Sequence, residues 1–224
     1  MKQIIKNPEP NSLAQHRASR FSNFDNIPLA AKEELRKNLL LEQGYICCYC
    51  MKRIPEFYSP YMKVEHFKCQ DTFQFLQLTY ANLLGACNGN EGQPKIKQTC
   101  DTKKGNLELS INPVSKIPIC DSLFKYNAEG EISSITDDTE INRQLNQILN
   151  LNMQTLKDGR SEIYLDVQKR VRIESKKAKN DKASFVKFLQ QEILKWLERT
   201  DNKHRPYCSV AVYYLAKKIK SNSH

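Results

Sequence analysis

No run of apolar residues in this 224-residue chain approaches the roughly 18 that a membrane-spanning helix requires. Its opening, M-K-Q-I-I-K-N-P-E-P, carries charge but lacks the apolar stretch of a secretory signal. Internal repeats and low-complexity tracts are also missing. These absences argue against membrane-spanning, secreted and repeat classes and lead to the expectation of a soluble, cytoplasmic protein. In that compartment thiols stay reduced, so disulfides are not expected. The eight cysteines are then metal ligands or small buried apolar residues. Four of them fit a metal pattern; Cys48, Cys69, Cys120 and Cys208 receive no role.

Hydrophobic residues make up 40% and charged ones 27% of the chain, enough for one sizeable core or a small domain with a helical extension. The formal net charge of +10 is unevenly spread: residues 176–224 carry 12 basic groups against 4 acidic ones. A basic tail suits an anionic partner such as nucleic acid, because cations that meet phosphates release condensed counterions. A solvated helix face is the other reading.

Residues 1–25 are polar with little periodicity and read as an arm that packs late or binds something. A helix is expected from Pro28, with Leu29, Leu35, Leu39 and Leu40 on one side and Gly44 as its stop. The stretch 45–106 reads as strand (Tyr61 to Phe67), connection and short apolar entry (Asp71 to Leu84), then a helix within Thr99 to Leu107. The polar segment between Cys87 and Cys100 is a surface loop. Ser122 to Tyr126 and Glu131 to Ile135 flank N-A-E-G as a β-hairpin, with an irregular linker as the alternative. Asp138 and Asp181 are placed to cap helices, with apolar stripes through Ile141–Leu149, Leu156–Val171 and Phe185–Leu197, and a last helix carries Val210, Tyr213, Tyr214 and Ile219. The expected class is α+β, mainly helical, in three parts: 1–44, an arm and helix; 45–120, a zinc-containing core; 121–224, a hairpin and helical region suited to docking a partner.

Cys47 and Cys50 have the C-x2-C spacing with which a tight knuckle presents two thiolates to one Zn²⁺, and Cys87 and Cys100 supply a second pair, twelve residues apart instead of two. A long loop can bulge out and return between two ligands. Cys48 is the rival for the first pair. Near them lie Glu65-His66, Asn82 in Y-A-N-L-L, and Asp101 directly after Cys100. On successive strand positions Glu65 and His66 leave on opposite sides unless the strand bends. Alone, such a pair is an ordinary surface feature.

Taken together, E-H-F, Y-A-N-L-L-G-A-C and C-D-T-K-K-G-N resemble the HNH endonucleases, and more closely the PtuB-type HNH endonucleases of Septu and retron-associated anti-phage systems. The likeness covers about residues 45–107. It implies a zinc-stapled ββα-metal core and a metal-dependent endonuclease hydrolysing DNA phosphodiester bonds. His66 would be the general base; Glu65 and Asp101 would hold one catalytic Mg²⁺ or Mn²⁺, and Asn82 would brace the loop and orient the histidine. Asp101 stands where many members have histidine or asparagine. Lys103 and Lys104 follow on the expected helix and could grip phosphates, or be solvated. The implied partners are DNA, a PtuA-type ATPase and, in retron-associated systems, a reverse transcriptase with its msDNA. The alternative is a zinc-stapled nucleic-acid-binding or adaptor module without catalysis.

Overall fold

The computed structural model describes residues 1–56, 60–178 and 181–222. The N-terminal stretch is not a loose arm. It forms helix α1 (Asn11–Ala18), Met1 and Leu13 are fully buried, and the Ile4 amide donates to the Pro113 carbonyl at 2.8 Å. Its apolar anchors Met1, Ile4 and Leu13 follow neither helical nor strand spacing, so sequence patterning does not reveal that they are inside.

Helix α2 (Leu29–Gln43) begins after Pro28 and ends at Gly44, whose φ of 60° is the left-handed stop that glycine favours. Leu35, Leu39 and Leu40 are buried as their spacing predicts. Leu29, expected on the same stripe, is 71% exposed: it occupies the first turn, before the helix reaches the core. Gly44 also touches the C-terminal part of the chain. The His204 amide donates to its carbonyl at 2.9 Å, and a Cβ there would meet the His204 ring at 2.5 Å.

Strands β1 (Met62–His66) and β2 (Leu83–Cys87) pair antiparallel, with Glu65 opposite Leu84 and His66 opposite Leu83. A short helix, α3 (Cys100–Lys104), packs against β2 from one side and α2 packs against it as well. Two further strands, β3 (Phe124–Tyr126) and β4 (Ile132–Ser134), form the expected hairpin. Asp138 caps α4 (Thr139–Arg143) through Ile141 N at 2.8 Å, and that helix widens into a π-helical turn over Gln144–Ile148, which buries Leu145 and Ile148. Helices α5 (Gln154–Ala178), α6 (Lys182–Leu197) and α7 (Cys208–Asn222) follow, α6 capped by Asp181 through Ser184 N at 3.0 Å. The architecture is thus mainly helical α+β with two small sheets. Among the described residues no helix is long and apolar enough to cross a membrane.

Buried residues from Met1 to Leu215 form one connected core, and the helical region is joined to the cysteine-bearing stretch by specific bonds. The amide of Cys100 donates to the Leu149 carbonyl at 2.9 Å and that of Tyr207 to the Met51 carbonyl at 3.3 Å. The residue that ends the π-helical turn, Leu149, therefore gives its carbonyl to the first amide of α3.

Candidate metal centre and the carboxylate pair beside it

The first cysteine pair sits on a tight reversal. Cys47 N donates to the Lys52 carbonyl at 2.9 Å, Met51 N donates to the Cys47 carbonyl at 3.1 Å, and Met51 has a φ of 63°. The turn aims the Lys52 amide at the Cys50 sulfur, 3.5 Å away. The loop between Cys87 and Cys100 bulges outward and is closed at its neck by Thr99 N donating to the Gly89 carbonyl at 2.9 Å. Gly89 is needed there, because a Cβ would meet the Thr99 carbonyl oxygen at 2.2 Å.

These turns bring Cys47, Cys50, Cys87 and Cys100 together, all buried, with their sulfurs within 4.8 Å of one another. The Cys47–Cys100, Cys50–Cys87 and Cys87–Cys100 sulfurs are each 3.8 Å apart. A tetrahedron with Zn–S bonds of about 2.3 Å has edges of about 3.8 Å, so the four residues fit a structural zinc ion. Burial resists ionisation of Cys47, yet the surrounding thiols, Cys100 first, pull its pKa well below the ordinary thiol range. Cys47, next to Cys50 and Cys87, drives the Cys100 thiol the other way. Four thiols at these distances give up their protons when a divalent cation binds. Cys48 stands outside the group, its amide on the Gly85 carbonyl at 3.0 Å and its thiol pushed well up by burial.

Glu65 leaves β1 toward α3 and is 1% exposed. Its Oε1 accepts from the Tyr49 hydroxyl at 2.6 Å and lies 2.9 Å from the Lys104 ammonium. The Asp101 carboxylate lies beside it. Burial first, and then Asp101, holds the Glu65 carboxyl well above the usual range, against the pull of Lys104 and Tyr49. Asp101 is itself 3.6 Å from the Lys63 ammonium. Two hard oxygen donors in such proximity have the chemistry to hold a divalent cation, although Lys104 already neutralises part of their charge.

His66 is the last residue of β1. Its ring packs edge-on against Phe24 at 4.5 Å, and Nε2 is 3.0 Å from the Gln77 carbonyl. Burial lowers its pKa, and Asp101 acts on it in the opposite sense. Among the described residues the only group of three or more convergent metal donors is the four cysteines. Glu65, His66 and Asp101 form no second such group. Asn82 pins the segment after β1: its Oδ1 accepts from Lys68 N at 2.8 Å, and its Nδ2 donates to the carbonyls of Lys68 at 3.0 Å and Leu76 at 3.3 Å. Its backbone carbonyl also accepts from Phe67 N.

The two lysines differ. Lys103 is on the surface, donating to the Lys95 carbonyl at 2.9 Å. Lys104 is 2% exposed, its ammonium on Glu65 and on the carbonyls of His66 at 3.1 Å and Gly105 at 3.3 Å. A phosphate-gripping role therefore does not suit Lys104 here. Sequence reasoning missed Tyr49, Lys63 and the Gln77 carbonyl as neighbours of these groups. Tyr49 lies inside C-C-Y-C, but nothing in that spacing says its hydroxyl meets a carboxylate on β1.

No family model matches the chain. It is 31% identical over 117 residues, 47% of its length, to the Septu protein PtuB of Bacillus thuringiensis. The aligned stretch makes up 45% of that protein, so the chain spans less than half the length of the relative it matches.

Proposed function

We propose that this chain is a metal-dependent HNH endonuclease that hydrolyses DNA phosphodiester bonds and serves as the effector of an anti-phage system. The observation that carries the reading is the placement of Glu65 on β1 and Asp101 on α3 side by side, next to the four-thiol cluster. The order strand, strand, short helix matches what a ββα-metal unit needs.

The Gln77 carbonyl can only accept, so the proton of neutral His66 sits on Nε2 and the Nδ1 lone pair is left to take a proton. A pKa lowered mainly by burial keeps the ring neutral at pH 7. In the proposed reaction Nδ1 takes a proton from a water as its oxygen attacks phosphorus, the bond to the 3′ oxygen breaks, and that oxygen takes up a proton from solvent to leave as a hydroxyl. Asn82, bonded at Lys68 and Leu76, holds the segment that presents the Gln77 carbonyl and so keeps the imidazole oriented. Glu65 and Asp101 would hold Mg²⁺ or Mn²⁺, which when bound neutralises charge on the phosphoryl and leaving oxygens. Lys103, half-buried near the end of α3, can turn its ammonium to a neighbouring phosphate.

By likeness to the Septu protein, the partner is a PtuA-type ATPase docking on residues 121–224, with a retron reverse transcriptase and its msDNA in systems that carry them. The isolated chain incubated with supercoiled plasmid tests the activity: nicking with Mg²⁺ or Mn²⁺ and none with EDTA is expected. Salt-sensitive binding with no cutting under either metal would establish the non-catalytic alternative.

A further inference from the structure

A groove of about 660 Å³ lies between α5 and α7, floored by Phe185 and Tyr214, and none of its lining residues comes from the cysteine-bearing stretch. Lys169, Arg172 and Lys176 line it from α5, at the three- and four-residue spacing that puts them on one helix face. Lys218 faces them from α7, its ammonium 5.7 Å from the centre of the Tyr214 ring. Among the described residues no carboxylate lines the groove. Among the described residues Lys169, Arg172 and Lys176 make no ion pair, whereas the neighbouring face of α5 is neutralised internally, Arg170 on Asp166 at 3.0 Å and Lys177 on Glu174 at 3.2 Å.

The positive charge on α5 is therefore segregated into a concavity. Like charges so placed repel one another, and an anion relieves the repulsion. At 1.5 Å rise per residue the three cations extend over about 10 Å, a length along which one strand of a duplex presents about three phosphates. The polar lining, Gln168 and Asn222 included, suits phosphate and sugar oxygens.

We propose that the α5–α7 groove binds the phosphate backbone of a nucleic-acid strand, at a place separate from the Glu65–Asp101 pair. It contacts backbone and not base edges, so it discriminates little between sequences. Occupied together with the carboxylate pair, it would hold one nucleic acid at two points, but the groove's binding does not depend on cutting.

Fluorescence anisotropy with labelled duplex and single-stranded oligonucleotides, across a salt series in EDTA, tests this without any contribution from cleavage. The variant combining Lys169→Gln, Arg172→Gln and Lys176→Gln is expected to reduce the slope of log K against log salt by about 2.7 on duplex or about 2.1 on a single strand, and to weaken binding at least about tenfold. A control carrying Lys37→Gln, Lys97→Gln and Lys116→Gln, equal in charge and on segments that contribute nothing to the groove lining, should leave the slope within about one of the parent's. Near-ultraviolet circular dichroism confirms that both variants are folded. An unchanged slope in the groove variant, an equal loss in the control, or displacement of the oligonucleotide by inorganic phosphate at equal phosphate concentration would overturn the proposal. So would polyglutamate competing as well as nucleic acid, which would assign the groove to an acidic protein surface.

Discussion

His66 carries the sharpest chemical expectation at the scale of single residues. His66→Ala removes one ring from the end of β1 and leaves the four sulfurs untouched, so it is expected to keep its fold and its zinc while nicking of plasmid falls about 10²–10⁴-fold. Wild-type cleavage by that variant would remove His66 from the mechanism. His204 makes a different test. It is buried, Arg199 Nε donates to its Nε2 at 3.1 Å, and its Nδ1 finds no partner among the described residues. Burial, with Lys2, Arg199 and Arg53 around it, lowers its pKa to about 4. The unfolded chain takes up a proton near pH 6.5 that the folded chain refuses until about pH 4, so stability contributed by the neutral ring declines as pH falls through that window, by on the order of 2 kcal/mol. Denaturant titrations at pH 7 and pH 4.5 should show this decline in the parent and a shallower one in His204→Gln; equal declines would show that His204 does not contribute. Residue types in a recognisable order made the convergence of Cys47, Cys50, Cys87 and Cys100 readable in the sequence. The burial of Lys104 was not readable, because a lysine beside another lysine on a short helix looks solvated until the Glu65 carboxylate is seen beneath it.

Elements bounded by local chemistry were the easiest to read. The left-handed Gly44 ends α2, Asp138 and Asp181 cap their helices, and N-A-E-G turns the β3–β4 hairpin. Elements decided by distant partners were not. Residues 1–18 look unstructured because their anchors are scattered, and the π-helical turn answers to its packing, not to any local signal. The hairpin shows how a distant partner acts. Arg160 on α5 is 1% exposed and donates to the Gly130 carbonyl at 2.6 Å, the Leu151 carbonyl at 2.7 Å and Asn152 Oδ1 at 3.1 Å. Gly130 has a φ of 76°, and a Cβ there would meet the Lys157 carbonyl oxygen at 1.9 Å. Arg160→Met leaves the buried Gly130 and Leu151 carbonyls without this donor, while Asn152 Oδ1 keeps the Ile132 amide, and is expected to cost about 2–4 kcal/mol by urea denaturation. Gly130→Ala should cost a comparable amount through displacement of the turn from α5. A change below about 0.5 kcal/mol in either would mean that the turn is not held against α5 as described.

For the molecule as a whole, four cysteines separated by up to 53 positions in the chain converge on one point. Around that point hang the two strands, α3 with Asp101, and through the Leu149 carbonyl the start of the helical region. By analogy with zinc fingers, the ion would contribute about 10–16 kcal/mol of apparent folding free energy. Chelation is therefore expected to loosen residues 45–106 cooperatively, read as a loss of amide hydrogen-exchange protection in β1, β2 and α3, while the packing of α6 on α7 is retained. The most direct measurement is X-ray absorption at the zinc edge on the purified chain, with metal content determined alongside. One zinc per chain in a shell of four sulfurs at about 2.3 Å is expected, unchanged in Cys48→Ala and lost or depleted of sulfur in Cys100→Ser. A shell containing nitrogen or oxygen in place of sulfur, or zinc content indifferent to Cys100, would contradict it.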